Sequence, residues 1–509
     1  MKVEFRDLSF CYDSKKEFAL KRVNFSVSTG DCIVLCGKSG CGKSSITRVI
    51  NGLIPKFYNG RLTGSYTFDG EPIGQQDIAT ISAKVGSVFQ NAQAQFFSLN
   101  SQEEIILNAQ NQGKSQEWIA TRLEHIKRQL NLTSLLDRYI FDLSMGEAQL
   151  IACASAAFHA PGVILLDEPS ANLDFKAIKR LKKLLHLWKK QGITLIIAEH
   201  RLHYLFDLAD QVIYLEEGKI KANYSPQALL DLDAVTYRQL GLRARSIAEV
   251  LCKKNSVKKY SLADQYSGLT PVPEGKTVLL MHQLYYSADT HTDRDHQWLN
   301  TPLKLCSGHI YGLLGENGSG KSIFLKLLAG FERKACGEIF YYEKKIKSHK
   351  LLKKSYLVLQ DSNLQLLCET VLAEILLSMR MLKQNPADKQ KVAESLLHQL
   401  GLEKECASHP MSLSGGQKQR LMIAGALASD RKIILLDEPT SGLDFDSMQK
   451  VAILIKQLAK ERVICFASHD PEFLHSCATD LILMVDQQVK MQCPINSSQG
   501  EKIFKTQFR

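Results

Sequence analysis

The chain contains GKSGCGKS at residues 37–44 and a close copy of it, GENGSGKS, at residues 315–322. Both fit the pattern GxxxxGKS, in which glycines permit a tight loop and a lysine and a serine follow the last glycine. The two lysines, Lys43 and Lys321, lie 278 residues apart. This repeated stretch decides the fold, because the sequence around each copy has the same order of elements.

Three further features recur at nearly the same separation. They are the glutamines Gln90 and Gln360, the acidic pairs beginning at Asp167 and Asp437, and the histidines His200 and His469, separated by 270, 270 and 269 residues. A period this long indicates a duplicated domain rather than a solenoid of short repeats. The length of 509 residues also exceeds what one hydrophobic core supports.

Each copy lies between a predicted strand and a predicted helix. In DCIVLCGKSGCGKSSITRVING an apolar run ends at Gly37, and helical spacing resumes after Lys43. Glycine loops also form plain turns, but two intact copies in this context favour phosphate-binding loops, whose backbone N–H groups surround phosphates at a helix N-terminus. The predicted nucleotide-binding residues are Gly37, Lys38, Ser39, Gly40, Cys41, Gly42, Lys43, Ser44 and Ser45, and Gly315, Glu316, Asn317, Gly318, Ser319, Gly320, Lys321 and Ser322.

Two apolar runs end in paired carboxylates, VILLDEP at residues 163–169 and IILLDEP at residues 433–439. Runs of this kind are typical of buried parallel strands, and ligands bind at the carboxyl ends of such strands. Asp167 and Asp437 are therefore predicted to hold Mg²⁺ together with the hydroxyls of Ser44 and Ser322. The following residues, Glu168 and Glu438, are predicted to polarise the attacking water.

Composition excludes several classes of protein. Hydrophobic residues make up 45% and charged residues 23% of the chain, as in ordinary globular proteins. The apolar stretches are far shorter than the ~20 residues of a membrane span, and MKVEFRDLSF reads as a strand rather than a signal peptide. We therefore expect a cytoplasmic chain unless a partner holds it at a membrane.

The thirteen cysteines are scattered without paired CxxC ligands. We expect reduced, mostly buried thiols, and no metal site at Cys32, Cys36 and Cys41. Cys41 follows Gly40 beside a predicted helix N-terminus, where a thiol pKa can be lowered.

The net charge of +11 has three readings. The basic run KKNSVKK at residues 253–259 falls in a predicted linker, which favours a solvated surface. Attraction to an anionic membrane face comes second. Direct nucleic-acid binding is least favoured, because no basic patch is interleaved with aromatic residues.

With LSGGQKQR at residues 413–420, ANLD at 171–174, SGLD at 441–444 and the two histidines, the chain resembles the ABC ATPase family. The resemblance implies α/β tandem P-loop NTPase domains of ABC type, each with a RecA-like core, an antiparallel β subdomain and an α-helical signature subdomain. It implies that each ATP lies between the P-loop of one domain and the signature of the other, paired head to tail. His200 and His469 would then act with Glu168 and Glu438 in catalysis. The signature residues would be Ser144, Gly146, Ser414, Gly415, Gly416 and Gln417.

Gln90 and Gln360 occupy the Q-loop position of that family, which implies nucleotide and Mg²⁺ contacts and coupling to a partner. The segments that follow, QNAQAQFFSLNSQEEI and QDSNLQLLCETVLAEI, resemble those of energy-coupling-factor (ECF) type ATPases, as do NGLIPKFYNGRLTG and the EHR around His200. This resemblance implies an ATP-hydrolysing subunit for uptake of a vitamin or metal ion. Its partners would be a transmembrane coupling protein and a substrate-binding membrane subunit, with this chain peripheral at the cytoplasmic face of the membrane.

Two departures from the family pattern separate the halves. The first signature reads LSMGE, with Met145 and Glu147 where glycine and glutamine are usual, so we expect a working but unequal site for the ATP on Lys321. The alternative is a fully active site, because the LSxGE form also resembles ECF-type sequences. Tyr12 fits the adenine-stacking position, whereas alignment places Ala288 there in the second half. Tyr286 is the alternative stacking residue.

Two rival functions remain open at this stage. One is the ATPase of another importer, of the sugar type. The other is a soluble tandem ABC protein acting on ribosomes or DNA. The short linker predicted here counts against one acting on ribosomes, and the absence of a cysteine-rich N-terminus counts against an iron-sulfur variant. We expect a first domain at 1–220, a helical extension and linker at 221–275, a second domain at 276–495 and a tail at 496–509.

Overall fold

The computed structural model describes residues 1–13, 17–74, 76–252, 275–286, 296–299, 301–332 and 335–508. They form two compact units, Met1–Arg245 and Ser246–Arg509. Each unit contains an antiparallel sheet, a mostly parallel sheet and a group of helices. Elements are numbered along the chain.

The antiparallel sheet of the first unit has the strand order β2-β1-β4-β5. Phe5 lies opposite Phe25 on one side and Tyr66 on the other, and the three rings pack in the core beneath the sheet. Aromatic pairs of this kind stabilise neighbouring strands. The strands are β1 (Val3–Tyr12), β2 (Leu20–Val27), β4 (Gly60–Phe68) and β5 (Glu71–Pro72).

The second sheet of this unit has the order β10-β9-β3-β8-β7-β6. Only β9 and β10 pair antiparallel, and the other neighbours are parallel. The apolar strands of this sheet are buried because one face packs on helices and the other on helix α1 and the antiparallel sheet. The strands are β3 (Cys32–Gly37), β6 (Val85–Val88), β7 (Val163–Asp167), β8 (Thr194–Ala198), β9 (Gln211–Glu216) and β10 (Lys219–Tyr224).

Helices α4, α5 and α6 of the first unit pack on one another through buried aliphatic residues such as Ile105, Ile126 and Ile151. The helices are α1 (Lys43–Ile50), α2 (Leu53–Lys56), α3 (Ile78–Lys84), α4 (Ser101–Asn111), α5 (Gln116–Leu130), α6 (Met145–Phe158), α7 (Phe175–Lys190), α8 (Pro226–Asp231) and α9 (Ala234–Gln239).

The second unit repeats this plan. Its antiparallel sheet runs β12-β11-β15-β16, with β13 also paired to β11, and its second sheet runs β17-β18-β19-β14-β20-β21. The strands are β11 (Thr277–Tyr286), β12 (His296–Gln297), β13 (Leu303–Cys306), β14 (Ile310–Leu314), β15 (Cys336–Tyr341), β16 (Lys344–Ile346), β17 (Ser355–Val358), β18 (Ile433–Asp437), β19 (Val463–Ala467), β20 (Asp480–Val485) and β21 (Gln488–Pro494).

The helices of the second unit include a helical group of α12, α13 and α14 that matches α4 to α6 in order. They are α10 (Ile247–Cys252), α11 (Lys321–Ala329), α12 (Val371–Ser378), α13 (Pro386–Gln399), α14 (Gly415–Ala428), α15 (Phe445–Ala459), α16 (Pro471–Cys477) and α17 (Ser498–Gln507). The shared plan confirms the predicted fold class, tandem α/β P-loop NTPase domains, each with a RecA-like core, an antiparallel β subdomain and a helical subdomain.

The segments between and after the predicted domains belong to the two units. Helices α8 and α9 lie in the first unit and α10 in the second. The basic run at residues 253–259 lies outside the described residues. Residues 496–509, expected as a tail, include α17, whose Ile503 and Phe504 are buried and whose Phe504 ring contacts that of Phe508. This end of the chain therefore packs into the second core.

No helix in the part of the chain that the structure describes is both long enough and apolar enough to span a membrane.

Candidate functional site

The first phosphate loop joins β3 to α1. Gly37 has φ +140°, and a Cβ there would lie 2.1 Å from the carbonyl oxygen of Leu215, so only glycine fits. The buried side chain of Lys43 turns back over the loop, where its Nζ donates to the carbonyl oxygens of Gly37 at 2.9 Å and Lys38 at 3.3 Å. The loop therefore closes around an ammonium group.

The second loop has the same geometry. Lys321 Nζ donates to the carbonyl oxygens of Gly315 and Glu316, both at 2.9 Å. The loop glycine before each helix, Gly42 or Gly320, is the N-cap in the left-handed conformation, and neither helix has an acidic residue in its first turn. Both helix N-termini are thus left positive and suited to an anion. Ser44 and Ser45 lie in the first turn of α1 and Ser322 in that of α11, and the remaining predicted residues lie in the loops that precede these helices.

A hydroxyl and a carboxylate meet beside each loop. Ser44 Oγ donates to Asp167 Oδ1 at 3.1 Å, and the side chain of Ser322 likewise hydrogen-bonds to Asp437. Burial, with a smaller effect of neighbouring Glu168, raises the pKa of Asp167 to about 6, and burial also raises the pKa of Asp437. Buried hard oxygen ligands whose ionised form is unfavourable fit a divalent cation such as Mg²⁺.

The two predicted water-polarising glutamates share an uncommon backbone conformation. Glu168 has φ +47° and Glu438 has φ +48°, in the left-handed region that non-glycine residues rarely occupy. Their N–H groups donate to the carbonyl oxygens of Ala198 at 2.8 Å and Ala467 at 3.0 Å, at the ends of β8 and β19. Strain of this kind at the same position in both units is typical of a functional site.

In the first unit Glu168 contacts two other predicted site residues. Its Oε2 accepts from Gln90 Nε2 at 2.7 Å, and its Oε1 lies 3.3 Å from Nε2 of the buried His200. Gln90 follows β6, so one carboxylate connects the Q-loop to the histidine after β8. The sequence predicted these residues separately, and the sheet order places them side by side.

In the second unit His469 lies against Glu438. Its Nε2 is 3.8 Å from Glu438 Oε1, and its backbone N–H donates to Glu438 Oε2 at 3.4 Å. Gln360 stands two residues after β17, as Gln90 stands two residues after β6. The second unit thus repeats the pairing of glutamate and histidine with a longer separation.

A further buried carboxylate near each histidine was missed by the sequence prediction. Glu199 Oε2 accepts from the N–H of Ser170 at 3.3 Å and from Tyr204 OH at 2.9 Å, while its Oε1 accepts from the N–H groups of His200 and Arg201. This carboxylate connects the segment after Glu168 to the histidine segment. The EHR triplet was the available signal, but its role depends on Tyr204.

The second unit makes the same connection with a different residue. Asp470 follows its histidine, whereas Glu199 precedes His200. Asp470 Oδ2 accepts from the hydroxyl of Thr440, the residue that matches Ser170, at 3.3 Å. Its Oδ1 accepts from the N–H groups of Glu472 and Phe473 and so caps α16.

The two signature segments begin α6 and α14 with the same capping box. Ser144 Oγ accepts from the N–H of Glu147, whose Oε2 accepts from the N–H of Ser144 at 2.9 Å. Ser414 and Gln417 form the same two bonds. Gly146, Gly415 and Gly416 lie in the first turns of these helices, where N–H groups lack carbonyl partners within the helix.

The predicted adenine-side residues differ between the units. Tyr12 lies at the end of β1, with its hydroxyl 3.1 Å from Ser45 Oγ and 3.2 Å from Arg48 Nη1, beside the phosphate-loop helix. Tyr286 ends β11, and its hydroxyl donates to Glu332 at 2.7 Å. Ala288 lies outside the described residues.

Residues at the phosphate loop correct one expectation from the sequence. Burial raises the pKa of the Cys41 thiol, so the predicted lowering next to the helix N-terminus is wrong. The nearby Lys43 offsets only part of that effect. Among cysteines whose side chains are described, none forms a disulfide, and within the described ranges no group of three or more His, Cys, Asp or Glu residues is placed to hold a metal.

The fold and the two sites define a tandem P-loop ATP hydrolase. The family model for ABC transporters matches residues 20–171 and 299–441, which together make up more than half of the chain. The chain therefore belongs to the ABC transporter family, as an ATP-binding protein with two such domains.

Relatives of the full length are known. The chain is 37% identical over 493 residues to a protein of Treponema denticola named as a candidate ABC transporter ATP-binding protein, covering 96% of this chain and 97% of the relative. It is 29% identical over 496 residues to YkoD of Bacillus subtilis, named as a candidate HMP/thiamine import ATP-binding protein, with 94% and 89% covered.

A solved structure shows the same tandem fold. The model of ribosome-bound archaeal Pelota and ABCE1 matches with a TM-score of 0.66 and 20% identity, covering 98% of this chain and 80% of the matched chain. At this identity the likeness concerns the fold alone.

Proposed function

We propose that this chain is the ATP-hydrolysing subunit of an ECF-type importer that drives uptake of a vitamin or metal-ion micronutrient. Its partners would be a transmembrane coupling protein and a substrate-binding membrane subunit. The chain itself would be peripheral at the cytoplasmic face. The name of the Bacillus relative, which refers to HMP/thiamine import, supports the substrate class.

The observation that carries this proposal is an apolar side chain held outward after each Q-loop. Phe97 is 87% exposed and Leu367 is 78% exposed, at matching positions in the two units. Each lies in a loop fixed by one glutamate: Glu104 Oε2 accepts from the N–H groups of residues 97 and 98, and Glu374 Oε2 accepts from those of residues 367 and 368.

A fixed loop of this kind suits a protein partner. Single exposed apolar side chains are common, but here the same position in both units holds one in a loop fixed by a matching glutamate, which supports a contact surface there. Because the loop follows the glutamine that bonds Glu168 in the first unit, a partner seated there would sense the nucleotide site through one side chain.

In each site the residues of this chain would divide the work. Lys43 or Lys321 and the adjoining helix N-terminus would hold the phosphates. Mg²⁺, when bound, would neutralise phosphate charge, held by Ser44, Asp167 and Gln90 in the first site and by Ser322, Asp437 and Gln360 in the second. Glu168 or Glu438 would accept a proton from the attacking water, and His200 or His469 would orient that glutamate and the γ-phosphate.

We propose further that the domains pair head to tail, so that Ser144 serves the ATP on Lys321 and Ser414 serves the ATP on Lys43. Helix N-termini beyond each γ-phosphate would then be a second anion site, and loss of the γ-phosphate would weaken the pairing. This cycle would transmit ATP binding and hydrolysis to the membrane partners.

Affinity purification of the full chain from detergent-solubilised membranes of its own organism tests the proposal. We expect two integral membrane proteins to accompany the chain, and Phe97→Asp combined with Leu367→Asp to reduce their recovery at least about tenfold, since a carboxylate in an apolar contact is left desolvated. The control is Val235→Asp on α9, at an exposed apolar residue outside the segments that follow Gln90 and Gln360. Recovery with ribosomes and without membrane proteins would refute the proposal.

A further inference from the structure

The residue that completes the capping box of each signature helix has a partner of opposite character in the two units. In the first unit, Glu147 Oε1 accepts from Arg138 Nη1 at 3.1 Å. In the second, Gln417 Nε2 donates to Glu405 Oε1 at 2.9 Å. The residue three places after the capping serine therefore contacts a cation in the first unit, where it is the carboxylate Glu147. In the second unit it is the amide Gln417, and it contacts a carboxylate.

Arg138 is held in place by other bonds. Its Nη2 donates to the carbonyl oxygen of Asp142 at 3.0 Å, and its backbone N–H donates to Ser101 Oγ at 3.2 Å. Ser101 Oγ donates in turn to the carbonyl oxygen of Leu135. The bond to Asp142 thus orients the guanidinium toward Glu147, and the bond to Ser101 holds the backbone from which it extends.

Both oxygens of Glu147 have partners. Oε2 accepts from the N–H of Ser144 and Oε1 accepts from Arg138. Burial alone would raise the pKa of Glu147, but the hydrogen bonds from Ser144 and the charge of Arg138 outweigh burial, so the pKa lies below its ordinary value. The carboxylate is charged, bonded and matched by a neighbouring positive charge.

An unmatched carboxylate at this position would oppose phosphate binding. The N-terminus of a helix attracts anions through its free N–H groups and dipole, and a negative charge in the first turn weakens that attraction for a second anion. Arg138 restores the local balance of charge. In the second unit, Gln417 forms the same capping box while bonded to Glu405, without a positively charged side chain.

We infer that Arg138 is a positioning residue that compensates Glu147 and keeps the LSMGE segment able to receive a nucleotide phosphate. This inference rests on the proposed function, in which Ser144 serves the ATP held by Lys321. It reduces the inequality that the sequence alone predicts: the pair Glu147 with Arg138 stands in for the pair Gln417 with Glu405, and only Met145 remains as a difference within the motif.

The test isolates the sites in the full chain and measures ATP turnover. Glu168→Gln inactivates the site of Lys43 and leaves active the site of Lys321, which would use Ser144. Glu438→Gln leaves active the site of Lys43, which would use Ser414. In the Glu168→Gln chain we expect Arg138→Gln to lower kcat/KM about fivefold, mainly through KM, since a charge-assisted hydrogen bond is lost and a negative charge is left near the phosphate. Adding Glu147→Gln should restore most of the loss.

The second unit supplies the matched control. Gln417→Glu places a carboxylate against Glu405 without an arginine, and in the Glu438→Gln chain we expect it to lower kcat/KM at least about fivefold for the same reason. Adding Glu405→Arg should recover activity. Recovery by the second change in each unit is a response that a purely structural arginine would not give.

Three outcomes overturn the inference. They are an equal loss from Arg138→Gln in both single-site chains, no recovery on adding Glu147→Gln, and no coupling between Arg138 and Glu147 in urea unfolding of the four variants. If the unsubstituted chain hydrolyses no ATP, the proposed function fails. The unfolding cycle then tests the inference separately. Coupling between Arg138 and Glu147 would support Arg138 as the residue that holds the signature segment, and no coupling would contradict that role.

Discussion

Replacing Glu168 by glutamine should lower ATP turnover and raise stability at the same time. The carboxylate of Glu168 accepts from Gln90 and lies 3.3 Å from His200, so glutamine can keep the shape while losing the charge that polarises water. Losing such a group costs on the order of 10²-fold or more in kcat at its own site, so the turnover that remains in the full chain should be that of the Lys321 site.

The gain in stability follows from the neighbouring carboxylate. A pKa of about 6 for Asp167 means that its ionised form costs about 3 kcal/mol in the folded chain, with burial the larger cause and Glu168 the second. Removing the charge of Glu168, the second cause, should return part of that free energy, and each kcal/mol returned corresponds to about 2–4 °C in Tm for a unit of this size. The free-energy cost of ionised Asp167 is present above pH 6 and decreases as Asp167 becomes protonated. The stability gained by Glu168→Gln should therefore be smaller at pH 5 than at pH 8.

Turnover is measured by phosphate release from the full chain with Mg²⁺ and ATP, and stability by calorimetry in chelator without nucleotide at pH 8 and pH 5. Glu438→Gln is the matched variant, and Asp174→Asn, at the cap of α7, controls for loss of a carboxylate nearby. Unchanged turnover in Glu168→Gln would refute its role in catalysis. A loss of stability at pH 8 would refute the reasoning about Asp167.

Three further substitutions test other parts of the structure. Lys43→Ala should lower bound ATP from about two to about one per chain in equilibrium dialysis, because one phosphate cradle loses its ammonium; two bound ATP would contradict the role of the loop. Glu199→Gln should cost about 2–3 kcal/mol in urea unfolding, because its amide NH₂ must face an N–H or O–H donor; a neutral effect would contradict the contacts described. Burial, with the charges of Arg122 and Lys114, lowers the pKa of His159 to about 4, so the contribution of His159 to stability should fall by about 2 kcal/mol from pH 8 to pH 5 as the unfolded chain gains a proton. His159→Gln should flatten that dependence, and an unaltered pH profile would show that this histidine does not cause it.

The sequence predicted the fold because its main features are local. A strand, a glycine loop and a helix follow one another around Lys43 and around Lys321, and an apolar run precedes each acidic pair. Backbone and burial preferences act over such short segments, so the duplicated α/β fold could be derived without the structure.

Contacts that depend on distant segments could not be derived in this way. The bond between Gln90 and Glu168 joins residues 78 positions apart, and that between Glu199 and Ser170 joins residues 29 apart. The compensation of Glu147 by Arg138 depends on a loop that brings the guanidinium back to the helix start. The pKa of Cys41 was predicted in the wrong direction because proximity to a helix N-terminus is visible in sequence and burial is not.

The carboxylates of the histidine segments have a consequence for engineering chimeric ATPases. Glu199 stands before its histidine and uses a tyrosine and a backbone N–H, whereas Asp470 stands after its histidine and uses a threonine hydroxyl. Exchanging a single residue between the halves would leave one carboxylate without its donors and the opposite donor without an acceptor. Each histidine segment should therefore be exchanged only as a whole, together with Ser170 in the first unit or Thr440 in the second.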